Sequence, residues 1–105
     1  MHGQSGQQTV PIIKQLRHGS PVIREQFGVI KIGIFGSFAR GDQTSNSDVD
    51  ILVELKTDSK TLKNYVALAD YLESLFNRKV DLIMVEGIDP YIRSRVEVEV
   101  IWVEG

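Results

Sequence analysis

The feature that most constrains this chain is a polar stretch with an apolar run at each end. Val29-Ile30-Lys31-Ile32-Gly33-Ile34-Phe35 leads into Gly36-Ser37-Phe38-Ala39-Arg40-Gly41-Asp42-Gln43-Thr44-Ser45-Asn46-Ser47-Asp48-Val49-Asp50, and Ile51-Leu52-Val53 leads out. Apolar, β-branched runs of this kind read as strands. The pattern predicts a strand, a glycine-serine turn, a short helical turn, a polar loop and a second strand carrying two carboxylates.

Strand side chains alternate faces, so Asp48 and Asp50 project together while Val49 and Ile51 point the other way. Two carboxylates side by side repel, and folding alone gains nothing from them. A divalent cation removes that penalty, and magnesium is the usual one where carboxylates meet substrate phosphates. Two such ions, roughly 3.5–4 Å apart, can clamp both oxygens of an in-line phosphoryl displacement. Gly36 supplies the sharp turn and the close backbone approach such a ligand needs. If Ser37 opens a helical turn through Arg40, its unpaired amides and hydroxyl offer a site for a β- or γ-phosphate. Arg40 either reaches phosphate as well or pairs with Asp42.

Gly36-Ser37, ten intervening residues, then Asp48-Val49-Asp50 resembles the signature of the DNA polymerase β-type nucleotidyltransferase superfamily. The short chain resembles its minimal nucleotidyltransferases, often antitoxins paired with a HEPN-domain toxin. The resemblance covers roughly residues 21–85. It implies that Asp48 and Asp50 bind metal and that Gly36 and Ser37, with Arg40 and Ser47, bind the nucleotide. A third carboxylate is expected on a later strand, and Asp81 in Val80-Asp81-Leu82-Ile83-Met84-Val85 is the candidate inside an apolar run. The implied cofactor is Mg2+, as two ions, and the implied substrate is ATP. The implied partner is a HEPN toxin that receives the nucleotide.

Composition bounds the alternatives. With 105 residues, 42% hydrophobic and 25% charged, this is an ordinary globular composition for one domain. The expected organisation is a flexible segment over 1–8 and a single domain over 9–105. The absence of cysteine excludes disulfides, thiol nucleophiles and cysteine-zinc sites, and fits a reducing cytoplasm as the expected location. No apolar run approaches the roughly 20 residues of a membrane span, so no membrane role is expected. A net charge of −2 argues against stable nucleic-acid binding, which depends on neutralising phosphates.

Along the rest of the chain, Val10, Ile13 and Leu16 predict a short helix over Thr9–His18. Gly19-Ser20-Pro21 reads as a helix stop, a cap and the start of a second helix over Pro21–Phe27. His2 and His18 look like exposed or dipole-partner residues rather than catalysts. Lys60–Phe76 carries one apolar stripe, Leu62, Tyr65, Val66, Ala69, Leu72 and Phe76, and predicts a helix covering one sheet face. Asn77 can end it in a left-handed conformation. Strand, long helix, strand reads as a right-handed parallel crossover, which sets Asp81 beside Asp48 and Asp50. After Pro90 a short helix is expected. The alternation Val96-Glu97-Val98-Glu99-Val100 and Ile101-Trp102-Val103 then predict an extended tail, a candidate surface for a partner or a homo-oligomer.

Other chemistries fit poorly. Gly36-Ser37-Phe38-Ala39 lacks the second glycine of a nucleophile elbow, no P-loop sequence occurs, and the 42–50 loop lacks EF-hand spacing. The expected fold is α/β: a small twisted mixed sheet with helices mainly on one face, like a polymerase β palm. Two functions follow. One is transfer of a nucleoside monophosphate to a partner's hydroxyl. The other is a non-catalytic module that neutralises a partner stoichiometrically and keeps a vestigial nucleotide site.

Overall fold

A computed structural model describes residues 9–103. The expectations for residues 1–8, His2 among them, lie outside the described residues. In order, the elements are α1 (Thr9–Phe27), β1 (Val29–Phe35), α2 (Ser37–Arg40), β2 (Val49–Leu55), α3 (Leu62–Phe76), β3 (Val80–Met84), α4 (Pro90–Glu99) and β4 (Ile101–Val103). Short 3-10 turns occupy Thr57–Ser59 and Val85–Gly87.

The strands form one mixed sheet in the order β3-β2-β1-β4. β1 pairs antiparallel with β2 and with β4, while β2 and β3 run parallel. Alternation sorts the side chains. Ile32 and Ile34 of β1 and Ile51, Val53 and Leu55 of β2 enter the main core with Leu16 and Ile23 of α1 and Leu68 and Leu72 of α3. The other face buries less. Leu52 meets Ile88 and Val96 there, with Phe35, Ile83, Val100 and Trp102 packed around them. The helices thus cover mainly one face, as expected, and α4 covers part of the second.

Two local expectations are corrected. Residues 9–27 form one helix, not two. Gly19 is buried where a Cβ would stand 2.9 Å from the Tyr71 hydroxyl and 3.4 Å from Leu75, so this glycine admits α3 instead of stopping α1. The buried Ser20 hydroxyl accepts a hydrogen bond from Arg24 Nε at 3.1 Å. Pro21 and Arg17 both lie on the exposed side, where water can satisfy the Arg17 carbonyl that Pro21 cannot. The second correction concerns the tail. Val96 to Glu99 is helical, and only Ile101–Val103 is extended. Val96 and Val100 lie four apart and pack inward, whereas Val98 is 86% exposed, so helical spacing accounts for two of the three valines.

α3 begins at Leu62 rather than Lys60, because the Thr61 hydroxyl caps it by accepting from the Asn64 amide at 3.1 Å. It ends at Asn77, which holds φ 54° as expected. Tyr65 is half-buried and donates its hydroxyl to the Leu82 carbonyl of β3. Trp102 packs onto its own domain, with Lys31 Nζ 4.2 Å from its ring centre. Among the described residues no helix is long and apolar enough to cross a membrane.

Candidate active site

The site forms where β1 ends and β2 and β3 begin. Gly36 leaves β1 at φ 73° and ψ −148°, a conformation reserved for glycine. The chain then makes the single turn α2. Its first backbone bond runs from the Arg40 amide to the Gly36 carbonyl at 3.0 Å. The amides of Ser37, Phe38 and Ala39 precede that bond and have no acceptor within so short a helix. Gly41, at φ 80°, closes the turn. Phe38 is fully buried and anchors α2, and its carbonyl accepts from the Thr9 hydroxyl at the start of α1.

Asp50 lies on β2 with its carboxylate directly against Gly36. A Cβ there would collide with Asp50 Oδ2 and stand 3.1 Å from Cγ. The parallel register places Asp81 of β3 beside Asp50, and Val49 beside Val80. Asp81 is exposed rather than turned into the core, and Asp48, also exposed, sits one residue before β2 begins. Burial, then the charges of Asp81 and Asp48, push the Asp50 carboxyl from 3.8 up to about 6, with Arg40 opposing the rise. The three acids therefore share one field. Among the described residues, however, no three His, Cys, Asp or Glu side chains are close enough to close around an ion. The backbone brings the carboxylates to one rim without gathering them into a finished ligand set.

Asp50, with the charges of Asp81 and Asp48 set against it at a glycine-lined turn, belongs to a hard-oxygen donor set suited in kind to a divalent cation. Such an ion would be held by Asp48, Asp50 and Asp81.

The remaining predicted residues are placed as follows. Arg40 pairs with Asp42 at 3.1 Å and reaches Glu99 of α4 at 3.2 Å. The hydrogen bond and charge of Asp42 chiefly raise its pKa, holding the guanidinium charged. Arg40 thus makes the expected pair with Asp42, with Glu99 as a further acceptor. Ser47 serves its own loop: its hydroxyl accepts from the Thr44 amide at 2.8 Å. Arg78 was missed. It donates to the Ser45 and Ser47 carbonyls at 3.3 and 2.9 Å and stacks on Phe38, 5.1 Å from the ring centre. No sequence signal distinguishes it from any other charge in a polar turn.

The model of the nucleotidyltransferase domain matches residues 16–103. The chain belongs to that family. Within it, this nucleotidyltransferase sides with the minimal members. It is 38% identical over 98 residues to a Methanocaldococcus jannaschii protein assigned as a protein adenylyltransferase, covering 90% of this chain and 98% of that one. It is 43% identical over 81 residues to the protein adenylyltransferase MntA of Thermococcus cleftensis, covering 77% and 81%. A solved structure assigned as a minimal nucleotidyltransferase superposes with a TM-score of 0.72 at 30% identity, covering 85% of this chain and 93% of that one. A toxin–antitoxin structure with AMP-PNP gives a TM-score of 0.65 at 29% identity, covering 92% and 73%.

Proposed function

We propose that this nucleotidyltransferase moves AMP from ATP onto a hydroxyl of a partner protein in the cytoplasm, as an antitoxin that adenylylates a HEPN toxin. The observation that carries this reading is the Asp50 carboxylate lodged against Gly36 with Asp81 in register beside it. It brings to one rim the amides and the acids to which this reading gives the phosphate and the metal. The names of the relatives, protein adenylyltransferase and MntA, support the choice of reaction. The toxin–antitoxin structures, one with AMP-PNP, support the nucleotide and the kind of partner.

In this reading the amides after Gly36 and the Ser37 hydroxyl hold the triphosphate by its terminal phosphates. Mg2+, as two ions on Asp48, Asp50 and Asp81, would neutralise the charge that develops on the phosphoryl and pyrophosphate oxygens. The acceptor oxygen bonds to the α-phosphorus, the bond to the β-phosphate bridge breaks, and pyrophosphate leaves. Asp81, exposed at the rim, takes the hydroxyl proton. Positioning and electrostatics supply most of the rate. In this reading the hydroxyl belongs to the partner protein, as the toxin–antitoxin structures suggest.

A binding-only role has two observations in its favour: the acids do not form a closed set, and Arg40 pairs with Asp42 and Glu99. Label transfer from α-labelled ATP with Mg2+ to a co-expressed HEPN partner separates the two. Wild type should label the partner and Asp48→Asn/Asp50→Asn should not. Equal neutralisation of the partner by both proteins would leave the binding-only reading standing.

A further inference from the structure

Arg78 lies in the turn between α3 and β3, three residues before Asp81, and its backbone is fixed on both sides. Its amide donates to the Glu73 carbonyl at 3.3 Å, just after the left-handed Asn77. Beyond it, the Lys79 carbonyl accepts from the Val49 amide at 2.9 Å, and the Val80 amide donates to Glu73 Oε2 at 3.2 Å. The guanidinium is thus presented from a rigid base. It meets two other parts of the site. One is the ring of the fully buried Phe38, in α2, with the guanidinium carbon 5.1 Å from its centre. The other is the pair of carbonyls of Ser45 and Ser47, immediately before Asp48.

The start of the loop is tied to α2, where the Asp42 amide donates to the Ser37 carbonyl at 3.0 Å, and Gln43 is buried. Further on, the Thr44 amide donates to the Ser47 hydroxyl at 2.8 Å and the Ser47 amide to the Thr44 carbonyl at 3.1 Å, bonds that fold the loop on itself. Its end, before Asp48, is tied to the turn between α3 and β3 by the Val49 amide and by Arg78. A planar guanidinium suits the task, since its fork can address two carbonyls while its face stacks on a ring. Lysine offers a single charged point on a flexible stem.

We infer that Arg78 is a positioning residue for the metal-binding end of the nucleotide site, holding the Ser45–Ser47 segment, and through it Asp48, in register with Asp50 and α2. The inference rests on the proposed nucleotide site. In this role Arg78 positions the ligand-bearing segment through the Ser45 and Ser47 carbonyls. It acts as outer contacts of metal sites do, by fixing the direction of a ligand, and losing such a contact commonly weakens metal binding by roughly 10–100-fold.

The test uses the full chain, Mg2+ and ATP. Calorimetry measures ATP binding across a Mg2+ titration for wild type, Arg78→Ala, Arg78→Lys and Asp48→Asn, well below each melting temperature. Hydrogen exchange follows the amides of residues 44–49. Arg78→Ala should raise the Mg2+ requirement roughly 10-fold or more, while ATP affinity at saturating Mg2+ stays within about threefold. Exchange should quicken at 44–49 and stay unchanged in the α1 and α3 core. Arg78→Lys should recover part of the Mg2+ effect, and gives the same comparison if the alanine variant does not fold. A loss of stability with an unchanged Mg2+ requirement would overturn the inference, because packing alone would then explain the contact. Unchanged exchange at 44–49 would overturn it too. If wild type itself ignores Mg2+ and ATP, the nucleotide site falls and the inference falls with it. If wild type binds, Asp48→Asn does not, and Arg78→Ala matches wild type, only the inference falls.

Discussion

Gly28 and Gly36 bracket β1 at φ 67° and 73°, and at each a side-chain oxygen fills the space a Cβ would need. At Gly28 the oxygen is the Ser59 hydroxyl, in the turn before α3. The Gly28 carbonyl there accepts from the Lys56 amide at 2.9 Å, and the Asn64 side chain ties the Phe27 and Ser59 carbonyls together at 2.8 and 2.9 Å. At Gly36 the oxygen is the Asp50 carboxylate, half-buried and pushed up to about 6 by burial and by the charges of Asp81 and Asp48. The backbone device is the same at both ends. A neutral hydroxyl beside closed backbone hydrogen bonds makes a joint, whereas a carboxylate facing like charges makes the proposed cation site.

The comparison breaks most sharply at Gly36. Gly36→Ala combines a positive φ with a collision against Asp50, and should abolish Mg2+-dependent ATP binding in calorimetry. It should also cost about 1–3 kcal/mol of stability in a urea melt. Gly28→Ala meets the same steric problem and should cost a similar ~1–3 kcal/mol. Its folded molecules should bind ATP within about twofold of wild type, given that the joint lies at the far end of the strand. Adding Ser59→Gly should return part of the lost stability, since it removes the colliding atoms. No matching change at Asp50 can rescue Gly36→Ala, because the atom that must leave is the proposed ligand.

The next effect is electrostatic. Asp50 in the folded, metal-free protein holds its proton up to about pH 6, against an ordinary 3.8. The folded state therefore binds more protons than the unfolded one between those values. The stability tied to this group is full below 3.8 and is lost as pH rises through about 6. Asp50→Asn should flatten that fall, and its metal-free melting temperature at neutral pH should exceed wild type by a few degrees at most, solvent screening being substantial. The same proton competes with Mg2+, so wild-type affinity for Mg2+ with ATP should drop as pH falls through 6. Smallest of all is Glu99→Gln, which frees Arg40 from one exposed partner and should move the melting temperature by no more than about 1–2 °C.

What could be read from the sequence was what depends on neighbours along the chain. The Gly36-Ser37 turn, the pair Asp48 and Asp50, and the left-handed Asn77 are set by local spacing and backbone preference. The register of Asp81 was legible one step further out, through the handedness of a strand–helix–strand crossover. Gly19-Ser20-Pro21 misled because its local tendency to stop a helix is overridden by Tyr71 and Leu75, which arrive from α3. Val96-Glu97-Val98-Glu99-Val100 misled because period two and period four coincide at Val96 and Val100, and only the exposure of Val98 separates them. Arg78 was silent for a different reason. Its partners are backbone carbonyls and a ring more than thirty residues away, and carbonyls carry no sequence signature.

The parallel pairing that sets Asp50 beside Asp81 has a consequence for how the protein comes into being. It closes across the whole of α3, a 15-residue helix, and long-separated parallel pairing is the slow kind of step on a folding path. A chain emerging from synthesis carries Gly36, Asp48 and Asp50 before β3 exists. Asp81 joins them only when the crossover docks, so the proposed nucleotide site is complete with the finished fold and not before.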